Sequence, residues 1–268
     1  MVEVSLQGLA LVGGGAVVLW LVSLARRDAS IADTFWGPGF LLLAAFYASR
    51  SAGWEVRTWI VMALTGVWAI RLGAHIHRRN RDRPEDPRYA AWRERAGPSF
   101  WWKSLFSVFL LQATLMWIVS APLLLAVAAA EPSRFTSWDV AGLALWSVGF
   151  AFEALGDAQL AAFRRDPSNR GRVLDSGLWR FTRHPNYFGD ATIWWGLYLF
   201  AAGVPGGAWT MFSPILMTTL LLRVSGVSLL ERGLHVTRPG YRDYVARTSA
   251  FFPLPPRRRD VVRRRDGS

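Results

Sequence analysis

Gly177-Leu-Trp-Arg-Phe-Thr-Arg-His-Pro-Asn-Tyr-Phe-Gly-Asp190 is a polar stretch that runs directly into the apolar segment 191–202. A polar cluster that enters hydrocarbon is costly, so in a membrane protein it usually marks a place where something polar is bound or moved. Pro185 suits the first turn of a helix, because its missing N–H costs nothing there. A helix is therefore predicted to begin inside the cluster and to present its positive end to an anion.

Charge and apolarity are segregated along the chain, which combines 52% apolar residues with a net charge of +12 over 268 residues. A bilayer needs about 20 mostly apolar residues per helix. We predict an all-α polytopic membrane protein with seven transmembrane helices. The apolar runs that carry this prediction are 4–25, 35–48, 56–74, 104–130, 138–163, 188–203 and 207–230.

The distribution of Lys and Arg predicts the orientation. Alternate connections hold all of the 31 basic residues except Arg50, Arg57 and Arg134. The amino terminus is therefore expected outside and the carboxyl terminus in the cytoplasm. The basic balance then follows from topology, and the sequence shows no recognition helix or zinc pattern that would favour nucleic acid. The first apolar run has no positive segment before it, so we interpret it as a retained helix.

The domain organisation predicted from the sequence is one membrane domain over residues 1–250 and a basic cytoplasmic tail over 251–268. Arg257-Arg-Arg259 and Arg263-Arg-Arg265 give the tail its charge. Such clusters favour anionic lipid headgroups by about 1 kcal/mol per basic residue. A solvated tail that only enforces topology is the alternative.

Two acidic residues interrupt the fifth apolar run. Glu153, Asp157 and Arg164 follow one another at helical spacing, so they lie on one face of the predicted helix. Carboxylates in an apolar helix should face the bundle interior or a water-filled cavity. They would accept hydrogen bonds from hydroxyl or amide groups of a ligand; alternatively, they pair with Arg71 or Arg223 for structural reasons.

The loop that follows is rich in Arg, whose planar guanidinium matches phosphate oxygens. Because the sequence has neither GxGxxG nor GxxxxGK[ST], a nucleotide site would have to be of another type. The His residues lack metal-ligand spacing, and no nucleophile elbow supports a hydrolase. The Arg residues expected to converge near the predicted helix start are Arg164, Arg165, Arg170, Arg172 and Arg183.

Asp33 stands at the start of the second apolar run, in Asp33-Thr-Phe-Trp-Gly37. One interpretation makes it the N-cap of a helix. The other makes it an acid, since a carboxylate at the membrane edge beside aromatic groups can have a raised pKa.

The stretch 177–190 resembles the signature of the steroid 5α-reductase-like membrane enzymes. Arg238-Pro-Gly-Tyr-Arg-Asp-Tyr244 with Thr248-Ser-Ala-Phe-Phe-Pro253 is similar to that family's ending. Arg83-Pro-Glu-Asp-Pro-Arg-Tyr89 and Asp33-Thr-Phe-Trp-Gly37 resemble its bacterial branch, which contains relatives of unknown function. The core 183–187 also resembles isoprenylcysteine carboxyl methyltransferases.

The resemblance implies a seven-helix bundle in the cytoplasmic membrane of a bacterium, which binds NADPH between the later helices and the cytoplasmic loops. Asp33, Trp36 and Arg71 are the candidate catalytic residues it suggests. Where the mammalian enzymes have a catalytic Tyr, this chain has Trp68, Ala69 and Arg71. The cofactor-binding residues it suggests are Arg81, Arg83, Glu153, Asp157, Arg164, Arg172, Arg183, His184, Asn186, Tyr187, Asp190, Glu231, Tyr241 and Tyr244.

The function implied is NADPH-dependent reduction of the conjugated C=C bond of a 3-oxo-Δ4 steroid or a similar enone lipid. Hydride would pass to the β carbon while an acid residue polarises the carbonyl. The expected partners are a hydrophobic steroid or isoprenoid-like substrate and the bilayer, with no nucleic acid and no obligate protein partner. The alternative is an S-adenosylmethionine-dependent membrane methyltransferase of the isoprenylcysteine carboxyl methyltransferase type, whose cofactor has no phosphate to engage the Arg residues.

Overall fold

The computed structural model describes residues 1–81, 83–224 and 240–257, and within these residues the chain is helical, without a β-strand. Short 3₁₀ segments lie at Gly97–Ser99, Pro167–Asn169, Gly177–Arg180 and Gly207–Met211, and π-helical segments at Leu105–Leu110 and Leu220–Val224. The α-helices are α1 Val2–Arg26, α2 Ile31–Ser49, α3 Glu55–Asn80, α4 Pro87–Ala96, α5 Phe100–Ser104, α6 Leu111–Val119, α7 Ala121–Ala128, α8 Ser137–Arg165, α9 Pro185–Ala202, α10 Phe212–Thr219 and α11 Tyr241–Arg247.

Five of the described helical segments are long and apolar enough to cross a bilayer: α1, α2, α3, α8 and the continuous run Pro87–Val119. This supports the prediction of an integral membrane protein with several spans. Helix α9, from the sixth apolar run, has 18 residues. The seventh run begins with α10 and the π-helical segment Leu220–Val224, and residues 225–239 lie outside the described part of the chain. The count of seven and the orientation stay predictions.

Local signals explain where α4 and α9 begin. Asp86 caps α4 by accepting a hydrogen bond from the backbone N–H of Arg88, and Pro87 occupies the first turn. Pro185 begins α9, as predicted. Helix α2 begins at Ile31 with Ser30 at the N-cap position, so the interpretation of Asp33 as an N-cap is wrong. Its carboxylate lies within the first turn of the helix.

The chain divides into two compact units. Unit 1 comprises residues 1–146 and 194–216, and its centre is aromatic. Phe40, Trp68 and Trp194 are fully buried there, with ring centroids 4.5 to 5.7 Å apart. Unit 1 also buries an ion pair, in which Nε of Arg57 donates to Asp139 at 2.9 Å and both side chains are 1% exposed.

Unit 2 comprises residues 147–193 and 217–268. Its core forms where α8 passes the start of α9 at very short distance. A Cβ added at Gly189 would lie 2.4 Å from the backbone nitrogen of Glu153, and one at Gly149 would lie 2.6 Å from that of Ile193. Glycine lets helix backbones approach in this way inside membranes. The crossing brings the polar residues of α8 next to those at the start of α9.

The carboxyl-terminal segment 240–257 completes unit 2. The Tyr244 hydroxyl donates to the carbonyl of Trp179 at 2.5 Å, and the Thr182 hydroxyl donates to that of Phe251 at 2.8 Å. The backbone N–H of Leu254 donates to the Phe181 carbonyl at 3.0 Å. Residues 251–257, at the start of the predicted tail, are thus attached to the rest of the unit, and 258–268 lie outside the described residues.

Candidate functional site

The buried polar cluster of unit 2 lies at the crossing of α8 and α9. Glu153 is 3% exposed, Asp157 7%, His184 4% and Asp190 8%. The side-chain nitrogen of Asn186 donates to Oδ1 of Asp157 at 3.0 Å. Carboxylates in an apolar setting destabilise a fold unless polar groups meet them. A membrane unit that concentrates three of them at one helix crossing is therefore suited to hold a polar ligand.

Asn186 has one group that the protein does not satisfy. Its side-chain oxygen is buried, and among the described residues no donor reaches it. The amide is oriented so that its nitrogen faces Asp157, which leaves its oxygen as the unsatisfied atom. Buried acceptors without a partner are unusual in native proteins. A ligand N–H or O–H group would complete the hydrogen bonding of this side chain.

His184 and Tyr187 stand beside this cluster at the start of α9. Their rings stack at 5.6 Å between centroids, with an angle of 9° between the planes. The His184 backbone N–H donates to the Thr182 hydroxyl at 3.2 Å, which fixes the entry into the helix. The predicted residues His184, Asn186, Tyr187 and Asp190 thus share the first two turns of α9 or its entry, as the sequence spacing requires.

The Arg residues predicted for the cofactor differ in their surroundings. Arg164 and Arg172 are exposed. Arg183 is half-buried, and its guanidinium donates to the carbonyls of Val245 and Thr248 at 3.2 and 2.8 Å. The Arg183 guanidinium therefore links the entry of α9 to the carboxyl-terminal segment. Arg164 lies in the last turn of α8, and Arg172 lies in the loop that follows it.

The two tyrosines of the carboxyl-terminal segment that were predicted to bind the cofactor are buried side by side. Tyr241 and Tyr244 are each 3% exposed, with ring centroids 5.9 Å apart. Tyr244 uses its hydroxyl to hold Trp179, whose indole nitrogen donates to the Gly156 carbonyl at 3.1 Å. Glu231 lies outside the described residues. The roles of all these residues toward a cofactor stay predictions.

Unit 1 contains a second polar cluster, around Asp33. The Arg88 guanidinium and the Tyr89 hydroxyl each donate to its carboxylate at 2.6 Å. Gln112 adds its side-chain nitrogen, at 3.4 Å from Asp33 and 3.2 Å from the Tyr89 oxygen. The Asp33 carboxylate thus contacts three polar side chains that are distant from it in sequence. Sequence reasoning did not assign Arg88, Tyr89 or Gln112 to a site.

The segment before α4 is attached to the connection between α1 and α2. Glu85 accepts hydrogen bonds from the backbone N–H of Ala29 at 2.8 Å and from Arg93 at 2.7 Å. Although burial opposes ionisation, these bonds hold the pKa of Glu85 below its ordinary value. Ser30 accepts from the backbone N–H of Asp86 at 2.8 Å. The cluster thus fixes one end of the basic stretch that contains the exposed residues Arg81 and Arg83.

The other two predicted catalytic residues, Trp36 and Arg71, are only partly exposed. The Trp36 ring meets Phe40 edge-on at 5.3 Å, so it lies at the border of the aromatic core of unit 1. Within that core, the indole nitrogens of Trp68 and Trp194 have no hydrogen-bond partner among the described residues. Of the three residues that stand where the resemblance expects a Tyr, Trp68, Ala69 and Arg71, the first is thus an indole N–H donor.

Comparison with known protein families matches residues 19–248 to the family described as "Protein of unknown function (DUF1295)". The chain belongs to this family. The match covers both units, including the Asp33 cluster and the crossing of α8 and α9. It is a family found in steroid 5α-reductase-like membrane proteins.

An uncharacterized protein of Schizosaccharomyces pombe is 28% identical over 265 residues, which cover 88% of this chain and 76% of the yeast protein. No solved structure matches the chain. The family and this relative support the resemblance in its coarse form, as a membrane protein of the DUF1295 family.

Proposed function

We propose that this protein is an integral-membrane, NADPH-dependent reductase of the conjugated C=C bond of an enone lipid, with a 3-oxo-Δ4 steroid as one possible substrate. The observation that carries the proposal is the buried polar cluster of unit 2, in which Asn186 contacts Asp157 and retains an unsatisfied acceptor. A purely structural cluster in a membrane unit would be expected to satisfy all of its buried polar groups.

The donor and acceptor set of unit 2 fits the chemistry of NADPH. The amide and hydroxyl groups of NADPH suit the carboxylates of Glu153 and Asp157 and the side chain of Asn186. The phosphates of NADPH suit Arg164 and Arg172, which are exposed residues. We infer that these five residues hold the cofactor. When bound, NADPH supplies a hydride for the β carbon of the enone.

The protein's own contribution to the chemistry would be to polarise the substrate carbonyl, so that charge developing on its oxygen is stabilised. Asp33 is the acid predicted for this step, but its carboxylate accepts from Arg88 and Tyr89. We therefore propose that the Tyr89 hydroxyl hydrogen-bonds the carbonyl oxygen without giving up its proton and that Asp33 positions it, so that hydride addition leaves an enolate. Solvent would supply the proton for the α carbon, which completes addition of two hydrogens across the bond.

The first experiment measures cofactor binding by the full chain, purified in an uncharged detergent. NADPH, NADH and S-adenosylmethionine are titrated separately, and binding is followed by the fluorescence of the 15 Trp residues. We expect NADPH to bind more tightly than NADH. Binding of S-adenosylmethionine without NADPH would refute the reductase and favour the methyltransferase.

The double substitution Arg164→Ala/Arg172→Ala tests the phosphate contacts. Hydrogen bonds to charged groups contribute about 1.5–3 kcal/mol each, so losing both should weaken NADPH binding at least about 100-fold. Arg78→Ala/Arg95→Ala removes the same charge from exposed residues outside the site and should leave the affinity within about twofold. Equal losses in the two variants would mean that only net charge matters.

Enone reduction by the NADPH-bound protein is then measured over a panel of steroid and isoprenoid enones.

A further inference from the structure

A basic cavity of unit 2 lies outside the predicted cofactor residues. Its volume is about 530 Å³, and its lining includes Asp175, Ser176, Arg180, Arg247 and Arg257. It lies between the loop that precedes α9 and the end of the carboxyl-terminal segment. None of these five residues is among those suggested for NADPH, so the proposed function does not account for the cavity.

The charges in the cavity are only partly neutralised. Arg247 donates to Asp175 at 3.3 Å, and both side chains are more than a third exposed. Arg180 and Arg257 are exposed, and their guanidinium groups form no hydrogen bond or ion pair with any described residue. With one carboxylate against three guanidinium groups, the cavity carries excess positive charge and retains unused donors. An anion with several acceptor oxygens matches this arrangement.

The backbone that carries these Arg residues is held in place. The N–H of Arg257 donates to the Arg247 carbonyl at 2.9 Å, and the N–H of Leu254 donates to the Phe181 carbonyl at 3.0 Å. The Arg183 N–H joins the same two segments through the Ser249 carbonyl at 2.9 Å. The cavity is therefore built on paired segments, which lowers the entropy lost when an anion is bound.

Three large apolar residues on the same segments are exposed. Phe181 is 40% exposed, Phe252 65% and Leu254 55%. Phe181 directly follows Arg180 in sequence, and Leu254 comes three residues before Arg257. Basic groups beside exposed aromatic and aliphatic groups are the combination that binds an anionic membrane interface, where rings enter the acyl boundary and cations meet headgroups.

We propose that this cavity binds the phosphate group of an anionic lipid headgroup. Arg180 and Arg257 contact the phosphate oxygens, Arg247 shares its guanidinium between the phosphate and Asp175, and the exposed Phe181, Phe252 and Leu254 contact the acyl region of the same lipid. The same phosphate chemistry is offered by a free phosphorylated compound, but such a ligand would not use the apolar groups. The site is independent of NADPH and of the proposed reaction.

The test is titration calorimetry on the full chain in an uncharged detergent, with dihexanoyl phosphatidylglycerol as the probe. Dihexanoyl phosphatidylcholine and glycerol 3-phosphate are titrated in parallel. Each basic contact near a membrane surface contributes about 1 kcal/mol, so Arg180→Gln/Arg257→Gln should bind the anionic lipid about 30-fold more weakly. Arg78→Gln/Arg95→Gln, which removes the same charge elsewhere, should stay within about twofold of the unsubstituted protein.

Tight binding of phosphatidylglycerol, weaker binding of the other two probes and a loss confined to the cavity variant support the proposal. Glycerol 3-phosphate binding as tightly as the lipid, with the same loss in the cavity variant, would replace the headgroup by a free phosphorylated ligand. Equal affinities of the cavity variant and the control variant overturn the site. NADPH affinity measured on the same variants should not change, which separates this result from any failure of the proposed function.

Discussion

The substitution Gly189→Ala tests the crossing of α8 and α9 on which the unit 2 site depends. A Cβ at this position would lie 2.4 Å from the backbone nitrogen of Glu153, 2.5 Å from the Gly149 carbonyl oxygen and 2.8 Å from the Glu153 Cα. All three are backbone atoms, so no side chain can rotate away. The first of these distances is about 1 Å short of the 3.4 Å at which ordinary contact begins, so the helices must separate by about that much.

The magnitude follows from two opposing effects. Inserting a methyl group into a close-packed contact costs about 1–3 kcal/mol. Ala is about 1 kcal/mol better than Gly in a helix interior, which offsets part of this cost. Gly14→Ala is the matched control, because Gly14 is exposed within α1 and a Cβ there would meet no atom within 4 Å. Only the helix-propensity gain should remain in the control.

The assay is thermal unfolding of the two variants in the same detergent, together with NADPH titration. At about 2–4 °C per kcal/mol for a chain of this size class, Gly189→Ala should melt several degrees below Gly14→Ala. A separation of about 1 Å also displaces Asp157 from Asn186, so NADPH affinity should fall in Gly189→Ala alone. The reasoning is refuted if Gly189→Ala melts at or above Gly14→Ala.

Three further predictions concern unit 1. Arg57→Met should destabilise the protein by about 3–5 kcal/mol because it leaves Asp139 buried and unpaired, and adding Asp139→Leu should restore much of the melting temperature; no recovery in the double variant would contradict this. Tyr89→Phe and Asp33→Asn should each lower the melting temperature, with a coupling of about 1–3 kcal/mol in the double-mutant cycle; additive effects would mean that their 2.6 Å contact contributes nothing. The folded-state pKa of Glu85 lies below its ordinary value of 4.5, so its contribution is present above pH 4.5 and is lost as the pH falls from there toward the lower folded value; Glu85→Gln should flatten this acid dependence, and an unchanged profile would be evidence against the Arg93 pair.

The apolar runs could be predicted from the sequence because hydropathy over about 20 residues reports directly on burial in a bilayer. The residues at which the helices begin and end were harder to predict from the sequence. The apolar runs 56–74 and 104–130 leave residues 75–103 between them as a connection, yet α3 continues to Asn80 and α4 occupies Pro87–Ala96. Charged residues obscure helical periodicity there, whereas the Asp86–Pro87 start was a signal that could have been used.

The contact between Asp157 and Asn186 joins two residues that the resemblance placed in one site. The surroundings of Asp33 could not be predicted in the same way. Its partners Arg88 and Gln112 are separated from it by 55 and 79 residues, and composition carries no information about pairs at such distances. Arg-Tyr in the stretch 83–89 was visible as a motif, but only the fold shows that both side chains reach Asp33.

The pairing of residues 181–183 with residues 249–254 has a consequence for biosynthesis. At about 5–20 residues per second, the ribosome adds Leu254 roughly 4–15 s after Phe181. During that interval α9 has already been made, while the entry to it lacks the hydrogen bonds from Leu254 and to Phe251 and Ser249. The entry to α9 therefore receives these three hydrogen bonds only after residues 249–254 have been made. A nascent chain halted before residue 249 would carry α8 and α9 but not the segment that is hydrogen-bonded to the entry of α9.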